Sequence, residues 1–342
     1  MARRLEGGPG IAIARSGTVA PPIRVGTSGW NYPHWRGRFY PKGLPPSRWL
    51  AHLAARLSSV EVNGTFYSLT RPAACDAWRA AVPDDFVFAV KGSRYITHML
   101  QLRNFRAPLA NFFASGILRL GKTLGPILWQ LPPQLRFDAA RADDFFAALP
   151  DDVRGAERRA RRHDERTAGR AALTAPDGRD RPLLHALEVR HESWLSDEAV
   201  RLLERRSVAL VAADTAGRHP FALRRTSREL AYVRLHGARR LYEGAYTPPE
   251  LQEWAARALE WAADGSRVFV YFDNDRDAQA PRDALDLQTL VRGGSLEAVP
   301  RPAPERRRAR PRPAHFGFRP RPIQPEAAPP PRARRSSGSR RA

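Results

Sequence analysis

Eight short apolar runs recur along this chain, and no other feature of the sequence restricts its fold as strongly. The runs occupy residues 23–30, 59–66, 86–93, 126–133, 183–189, 208–215, 230–237 and 267–274. Each run is rich in β-forming residues and ends in polar ones, and nearly every run is followed by a segment with helical patterning. Because alternating strands and helices form a parallel sheet, eight such units predict a single-domain (β/α)8 barrel of the TIM type.

An open, doubly wound sheet is the alternative arrangement of alternating strands and helices. Such a sheet usually binds a nucleotide through a glycine-rich first turn. The corresponding turn here, GTSGWNYPHW, contains neither GxGxxG nor GxxxxGK[ST], so the nucleotide-binding fingerprint is absent. The sequence therefore favours the closed barrel.

Three segments depart from the repeating pattern. Residues 1–21 are rich in Gly, Ala and Arg without periodicity, which predicts a flexible arm. Within the predicted barrel domain, residues 22–295, a charged insertion over residues 151–182 interrupts the alternation and predicts a solvated helix or a mobile insertion. Residues 296–342 are dominated by Pro and Arg, and they predict a disordered basic tail.

The formal net charge of +22 raises the hypothesis of a nucleic-acid ligand. About half of this charge lies after residue 300, so the tail is a candidate for non-specific binding of nucleic acid. No apolar run approaches the ~20 residues that a membrane span needs, which argues against a membrane partner. A lone cysteine, Cys75, is typical of a reducing compartment and predicts a cytoplasmic protein.

Polar or ionisable side chains end all eight runs, and in a barrel this end of the strands carries the chemistry. In three runs, two such residues are spaced by two, which puts both on one face of a strand. These pairs are Glu61/Asn63, Glu188/Arg190 and Arg234/His236. Because burying many titratable groups stabilises a fold little, the pattern favours a ligand site over a purely structural ion network.

The chain resembles the YecE-like family, a domain of unknown function (number 72), from about residue 23 to about residue 290. The motifs that carry the resemblance, in the family's order, are VGTSGWNYPHWRGRFYP, VEVNGTFY, FAVKGSRYITH, GPILWQLPP, EVRHESW, AADT, YVRLHG and YFDNDRDAQAP. The resemblance implies a TIM-type barrel and a characteristic pocket, but it does not imply a reaction.

The resemblance also implies which residues form this pocket. They are Glu61, Asn63, Tyr67, Lys91, His98, Gln130, Glu188, Arg190, His191, Asp214, Arg234, His236, Tyr271 and Asn274. Where this chain reads YFDN, many family members read YFNN. The resemblance therefore does not extend to Asp273 as a contact of the ligand.

From these side chains we predict an enzyme of hydrolase or lyase type. It would use acid–base chemistry on a phosphate- or sugar-containing substrate, including one derived from nucleic acid. Glu61 or Glu188 would be the general acid or base, and His236 a second proton carrier. The predicted catalytic residues are Glu61, Lys91, Glu188, Asp214 and His236. The predicted substrate-binding residues are Trp30, Asn63, Tyr67, His98, Gln130, Arg190, Arg234, Tyr271 and Asn274.

Three alternatives remain open at this point. The second class of function is a non-catalytic protein that binds nucleic acid or another anionic ligand. No cofactor is predicted, and the alternative is a divalent metal on Glu61, Glu188, Asp214 and His236, although neither HxxxH nor CxxC spacing occurs. A Schiff-base role for Lys91 would require a lowered lysine pKa, which the sequence does not reveal.

The loop after the first run is rich in aromatic residues, from Trp30 to Tyr40. Such rings suit a lid that stacks on a base or a sugar. They suit equally well the packing of the barrel top. The sequence does not decide between these two interpretations.

Overall fold

A computed structural model describes residues 23–296 of the 342-residue chain. The predicted arm, residues 1–21, lies outside the described residues. The predicted tail, residues 296–342, does so as well, apart from its first residue. No helix within residues 23–296 combines the length and the apolar character that crossing a bilayer requires.

Nine parallel strands within residues 23–296 form one sheet, in the order β6-β5-β4-β3-β2-β1-β9-β8-β7. The strands are β1 (Ile23–Ser28), β2 (Ser59–Val62), β3 (Val87–Lys91), β4 (Leu124–Gln130), β5 (His185–Glu188), β6 (Ala209–Leu210), β7 (Ala212–Asp214), β8 (Leu230–Leu235) and β9 (Arg267–Phe272). Strands β6 and β7 are separated by Val211 alone, and they pair with β5 and β8 respectively. One run of chain thus joins the two edges of the sheet, and the predicted (β/α)8 barrel is confirmed with its sixth strand split.

Helices connect the strands around the outside of the sheet. They are α1 (Trp49–Ala54), α2 (Gly64–Tyr67), α3 (Pro72–Ala80), α4 (Arg106–Ala114), α5 (Ala139–Ala147), α6 (Val153–Ala160), α7 (Asp197–Arg205), α8 (Pro248–Ala263) and α9 (Gln279–Val291). Local sequence sets their starts. Ser196 caps α7, and Thr247 with Glu250 forms a capping box at α8, because these side chains satisfy backbone groups that the first turn leaves free.

The charged insertion, residues 151–182, begins with α6, which packs against α4. Val153, Ala156 and Ala160 lie on the buried side of this helix. Beyond it, Asp164 and Asn111 exchange two hydrogen bonds of 2.8 and 3.0 Å. The insertion is therefore attached to the outside of the barrel through both apolar and polar contacts.

Two apolar cores lie on the two sides of the sheet, one outside the barrel and one inside it. The larger one lies between the strands and the helices. The smaller one fills the inside of the barrel, and its residues come from the strands and from Val211 between β6 and β7; it consists of Ala89, Leu128, Ala186, Ala209, Val211, Ala213, Leu230, Tyr232, Phe269 and Tyr271. Inward positions nearer the carboxyl ends of the strands carry charge instead, and this change of character defines where the site lies.

Candidate functional site

Arg234 is the centre of a buried group of charges at the carboxyl ends of the strands. From β8 it donates to both oxygens of Glu61 on β2, at 3.1 and 2.8 Å. It also donates to Glu188 Oε2 at 2.6 Å and to Asp273 Oδ2 at 3.0 Å. We call the following residues the ion cluster: Glu61, Glu188, Arg234, His236 and Asp273.

Burial and charge act in opposite directions on Arg234, which is fully buried. Burial alone would lower its pKa, because an apolar environment disfavours the charged form. The attraction of Glu61, and then of Glu188 and Asp273, outweighs burial and raises the pKa of Arg234 well above its ordinary value. The guanidinium therefore remains charged, and its single positive charge faces three carboxylates.

Glu61 is sealed beneath the guanidinium, with no exposed surface. Besides Arg234, it accepts hydrogen bonds from Ser28 Oγ at 2.5 Å and from the Tyr232 hydroxyl at 2.6 Å. Burial, and then the charge of Glu61, raises the pKa of Tyr232 well above its ordinary value, so the phenol stays protonated and donates. Because both oxygens of Glu61 are occupied, this carboxylate holds Arg234 in position.

Glu188 ends β5, where the strand register places it beside Gln130 of β4. It accepts from Gln130 Nε2 at 2.7 Å and from Arg190 Nε at 3.2 Å, in addition to Arg234. Burial raises the pKa of Glu188, but the attraction of Arg234, followed by Arg190, outweighs burial and lowers it well below its ordinary value. Glu188 is therefore an ionised carboxylate at neutral pH.

His236 lies between two members of the ion cluster and is fully buried. Its Nδ1 is 3.1 Å from Asp273 Oδ2, and its Nε2 is 3.1 Å from Arg234 Nη1. A nitrogen that faces a guanidinium N–H must be the acceptor, so Nε2 accepts from Arg234. Nδ1 lies within ion-pair distance of Asp273, but this contact does not have the geometry of a hydrogen bond.

Asp273 follows β9 and is the carboxylate of the ion cluster with the most exposed side chain, at 13 %. Burial raises the pKa of Asp273, and the stronger attraction of Arg234 and His236 lowers it below its ordinary value. Although the family resemblance did not extend to this residue, the structure places it in direct contact with Arg234 and His236.

Lys91, at the end of β3, is a second buried cation in the same region, and 8 % of its surface is exposed. Its Nζ lies 4.4 Å from the centre of the Phe66 ring, and among residues 23–296 the ammonium has neither an ion pair nor a hydrogen bond. Burial, and then the charge of Arg234, lowers its pKa to about 8, although Glu61, Glu188 and Asp273 act in the opposite direction.

Other predicted residues lie near the partly exposed edge of the ion cluster, where Asp273, Arg190 and Lys91 reach solvent; we call this edge the opening. The side chain of Arg190 is 16 % exposed, and Asn63 donates to Ser28 Oγ at 3.0 Å. His98 packs edge-on against Phe66, and burial, followed by the charge of Arg190, lowers its pKa to about 4. The opening therefore combines cationic groups with a neutral imidazole.

Two aromatic residues predicted to bind substrate differ in how far they are covered. Tyr67 is 70 % exposed, whereas Trp30 is half-buried and packs edge-on against Trp78 at 5.4 Å. In the same loop as Trp30, Trp35 and Tyr40 are fully or almost fully buried. Most of this aromatic loop therefore packs the barrel top, and Trp30 is one of its half-buried members.

Three predicted residues have partners away from Arg234. Tyr271 lies in the apolar layer below, where its hydroxyl is 2.6 Å from Ser59 Oγ. Asp214 accepts from the Tyr246 hydroxyl at 3.0 Å, and Asn274 donates to the Gly244 carbonyl at 2.7 Å. Both of the latter anchor the loop after β8. Direct contact of these three residues with a substrate stays a prediction.

The site predicted from the sequence lacks one member of the ion cluster, Asp273, and two residues that bond to the cluster, Ser28 and Tyr232. A signal for Tyr232 existed, because it stands two residues before Arg234 and so shares the inward face of β8. Its role depends on Glu61 lying across the barrel, which spacing along one strand cannot reveal.

The predicted alternative of a metal site does not fit this geometry. No group of three or more His, Cys, Asp or Glu residues in the part of the chain that the structure describes could hold a metal ion. Between Glu61, Glu188 and Asp273, the position that a cation would take is filled by the guanidinium of Arg234. Of the other suggested ligands, His236 faces Arg234 through its Nε2, and Asp214 accepts from Tyr246.

Together, these observations define a (β/α)8 barrel with a buried ion cluster at the carboxyl ends of its strands. A family model described as "Protein of unknown function DUF72" matches residues 24–308. The chain therefore belongs to the DUF72 family, and the predicted resemblance is confirmed.

Comparisons with individual proteins agree with this assignment. The UPF0759 protein YecE of Escherichia coli K12 is 29% identical over 144 residues, which cover 36% of this chain and 50% of YecE, so the match spans half the length of that relative. A DUF72 family protein of Thermotoga maritima superposes with a TM-score of 0.62 at 23% identity, covering 79% of this chain and 98% of that one. One from Enterococcus faecalis gives 0.60 at 18% identity, covering 81% and 97%. The two solved structures show the same fold.

Proposed function

We propose that this protein is an enzyme that performs acid–base chemistry on a phosphate- or sugar-containing anionic substrate above the ion cluster. One observation carries the proposal: the cluster continues towards the opening through Asp273, Arg190 and Lys91. A buried ion network is weak evidence for stability, because apolar residues would stabilise the same space as well or better. Charged groups that lead towards an opening are instead what a polar ligand requires.

The ionisation states support particular roles for the side chains. Because Glu188 is ionised at neutral pH, it can accept a proton or stabilise positive charge, and it cannot act first as an acid. His236, which lies beside Glu188 and Asp273, is the second proton carrier. Arg190 and Lys91 would bind the anionic group of the substrate.

Substitution of the two proton carriers tests this proposal. Wild type, Glu188→Gln and His236→Asn would be compared on panels of phosphoesterase and glycosidase substrates, with folding checked by thermal unfolding. Removing a general acid or base lowers turnover by roughly 10²–10⁴-fold, so we expect a loss of at least that lower size in both variants. Glu204→Gln, which makes the same change on the exposed side of α7, serves as the control and should retain activity. A wild-type activity that survives both substitutions would contradict the proposal.

Binding of nucleic acid is the second candidate function, and one observation favours it. The insertion exposes a series of arginines: Arg154, Arg158, Arg161, Arg162, Arg166 and Arg170. Phosphate contacts of such residues make binding fall steeply with salt. In the full chain, a triple substitution of Arg158, Arg161 and Arg162 by Ala should then weaken binding of DNA or RNA and flatten its salt dependence. An equal loss in Arg190→Ala would place the nucleic acid at the barrel opening.

A further inference from the structure

We propose that Lys91 binds its ligand covalently: its Nζ condenses with the aldehyde or ketone carbon of a small molecule that also carries an anionic group. This inference rests on the proposed function, because it concerns the same opening above the ion cluster. It adds a carbonyl group to the description of the substrate.

Within residues 23–296, the ammonium of Lys91 has no ion pair or hydrogen bond, unlike the other cations near it. Arg234 is paired with three carboxylates, and Arg190 is paired with Glu188. Lys91 is more than nine-tenths buried, its Nζ lies over the face of Phe66, and among residues 23–296 it has no ion pair or hydrogen bond. An amine that the fold buries without a partner, beside an opening, is free to react with a ligand.

A lysine, rather than an arginine, occupies this buried position. The chain has three lysines, Lys42, Lys91 and Lys122, against more than fifty arginines. Arginine binds phosphate and carboxylate groups with a better-matched geometry than lysine, and this chain uses arginine almost everywhere. A primary amine can form an imine, whereas a guanidinium that stays protonated cannot. Imine formation therefore explains why a lysine occupies this buried position, whereas anion binding alone would not.

The surroundings of Lys91 also make its neutral form accessible. Burial, and then the positive charge of Arg234, lowers the pKa of Lys91 to about 8. Compared with a lysine of ordinary pKa, the neutral amine is then on the order of 100-fold more abundant near pH 7.5. The neutral amine is the form that attacks a carbonyl carbon.

The condensation balances without any further reagent. The ammonium first releases a proton to solvent, and the neutral Nζ bonds to the carbonyl carbon. A proton passes from the nitrogen to the oxygen to give a carbinolamine, and a proton from solvent then leaves with the hydroxyl as water, so that a protonated imine remains. In sum, an ammonium and a carbonyl give an iminium and one water, so charge is conserved and nothing is oxidised. The carboxylates of Glu61, Glu188 and Asp273 already act on the charge of Lys91, and they would stabilise the iminium.

Reductive trapping tests the inference on the full-length wild-type protein. The protein would be incubated at pH 7.5 with dihydroxyacetone phosphate and sodium cyanoborohydride, and adducts at Lys42, Lys91 and Lys122 would be quantified by peptide mass mapping. Lys42 and Lys122 are exposed and serve as controls within the same chain. After allowance for its lower exposure, Lys91 should carry at least ~10-fold more adduct than either control. Dihydroxyacetone without phosphate should label Lys91 less.

Two results would overturn the inference: equal labelling of the three lysines, or no adduct at Lys91. The Lys91→Arg variant, which keeps the positive charge, separates this failure from failure of the proposed function. A wild-type activity on the substrate panels that persists in Lys91→Arg contradicts the covalent role and leaves the proposed function intact. Adducts on Lys91 of a protein that is inactive on the panels support the covalent role and count against the proposed function.

Discussion

Arg234 and Lys91 are both buried cations at the carboxyl ends of barrel strands, yet their surroundings differ completely. Arg234 contacts three carboxylates, whereas Lys91 has an aromatic face and, within residues 23–296, no ion pair. The environment raises the pKa of Arg234 and lowers that of Lys91. Among residues 23–296, the same end of one barrel therefore contains a cation with three ion pairs and a cation with none.

This difference separates residues that hold the site together from residues available to a ligand. A buried charge that is paired and hydrogen-bonded resists removal, because its partners would be left uncompensated. A buried charge without a partner destabilises the fold, and proteins retain such groups mainly where function requires them. The comparison predicts that substitutions of the two cations change stability in opposite directions.

Arg234→Met gives the largest expected effect. Removing the guanidinium leaves Glu61 and Glu188 buried without their main partner, so the free energy of unfolding at pH 7 should fall by about 3–5 kcal/mol. Urea denaturation measures this change. The deficit should shrink as the pH falls towards 5, because the unpaired carboxylates then take up protons more readily in the folded state than in the unfolded chain.

The control for this substitution is Arg206→Met, which breaks an exposed ion pair with Asp143. Exposed pairs contribute about 0–1 kcal/mol, so its effect should be several times smaller. If both variants lose the same stability, Arg234 does not hold the ion cluster together.

Substitutions of two buried tyrosines test the ion cluster with a smaller expected change in stability. Tyr232→Phe removes a hydrogen bond to the carboxylate of Glu61, and Tyr271→Phe removes one to the hydroxyl of Ser59. Bonds to charged groups contribute about 1.5–3 kcal/mol and neutral ones about 1, so Tyr232→Phe should lower the free energy of unfolding more. Equal losses, measured by urea denaturation, would show that Glu61 does not depend on this phenol.

Most of the fold could be predicted from the sequence, because buried parallel strands are continuous apolar runs with helical segments between them. All eight predicted strands are present. The break of the sixth strand at Val211 could not be predicted. It depends on the pairing of β6 with β5 and of β7 with β8, and register between distant strands leaves no local signal.

A site residue could be predicted where its position depends only on its own strand, that is, on the face it occupies and on its distance from the carboxyl end. Glu188, Arg234 and His236 meet these conditions, and the structure brings them together. Asp214 and Asn274 also follow strands, but their side chains bond to the loop after β8, whose path the sequence does not specify. Lys91 was recognised as a cation. Its lack of an ion pair within residues 23–296 arises because Glu61 and Glu188 pair with Arg234 instead, and the sequence does not reveal this pairing.

Lys91→Met gives the smallest effect and the opposite sign. A pKa lowered to about 8 corresponds to a burial penalty of about 3 kcal/mol, and the contact with Phe66 offsets about 1–2 of it. The variant should therefore unfold with a free energy about 1–2 kcal/mol higher than wild type at pH 7. Lys122→Met, at an exposed ion pair, is the control and should show no such gain.

The pH dependence of this gain identifies its cause. The folded wild type releases the Lys91 proton near pH 8, whereas the unfolded chain releases it only near pH 10.4. Between these values the unfolded chain binds more protons, so wild-type stability rises relative to the variant. The advantage of Lys91→Met should thus be complete below pH 8 and should be lost between pH 8 and pH 10, as followed by urea denaturation across this range. A gain that does not change with pH would come from packing and not from the buried charge of Lys91.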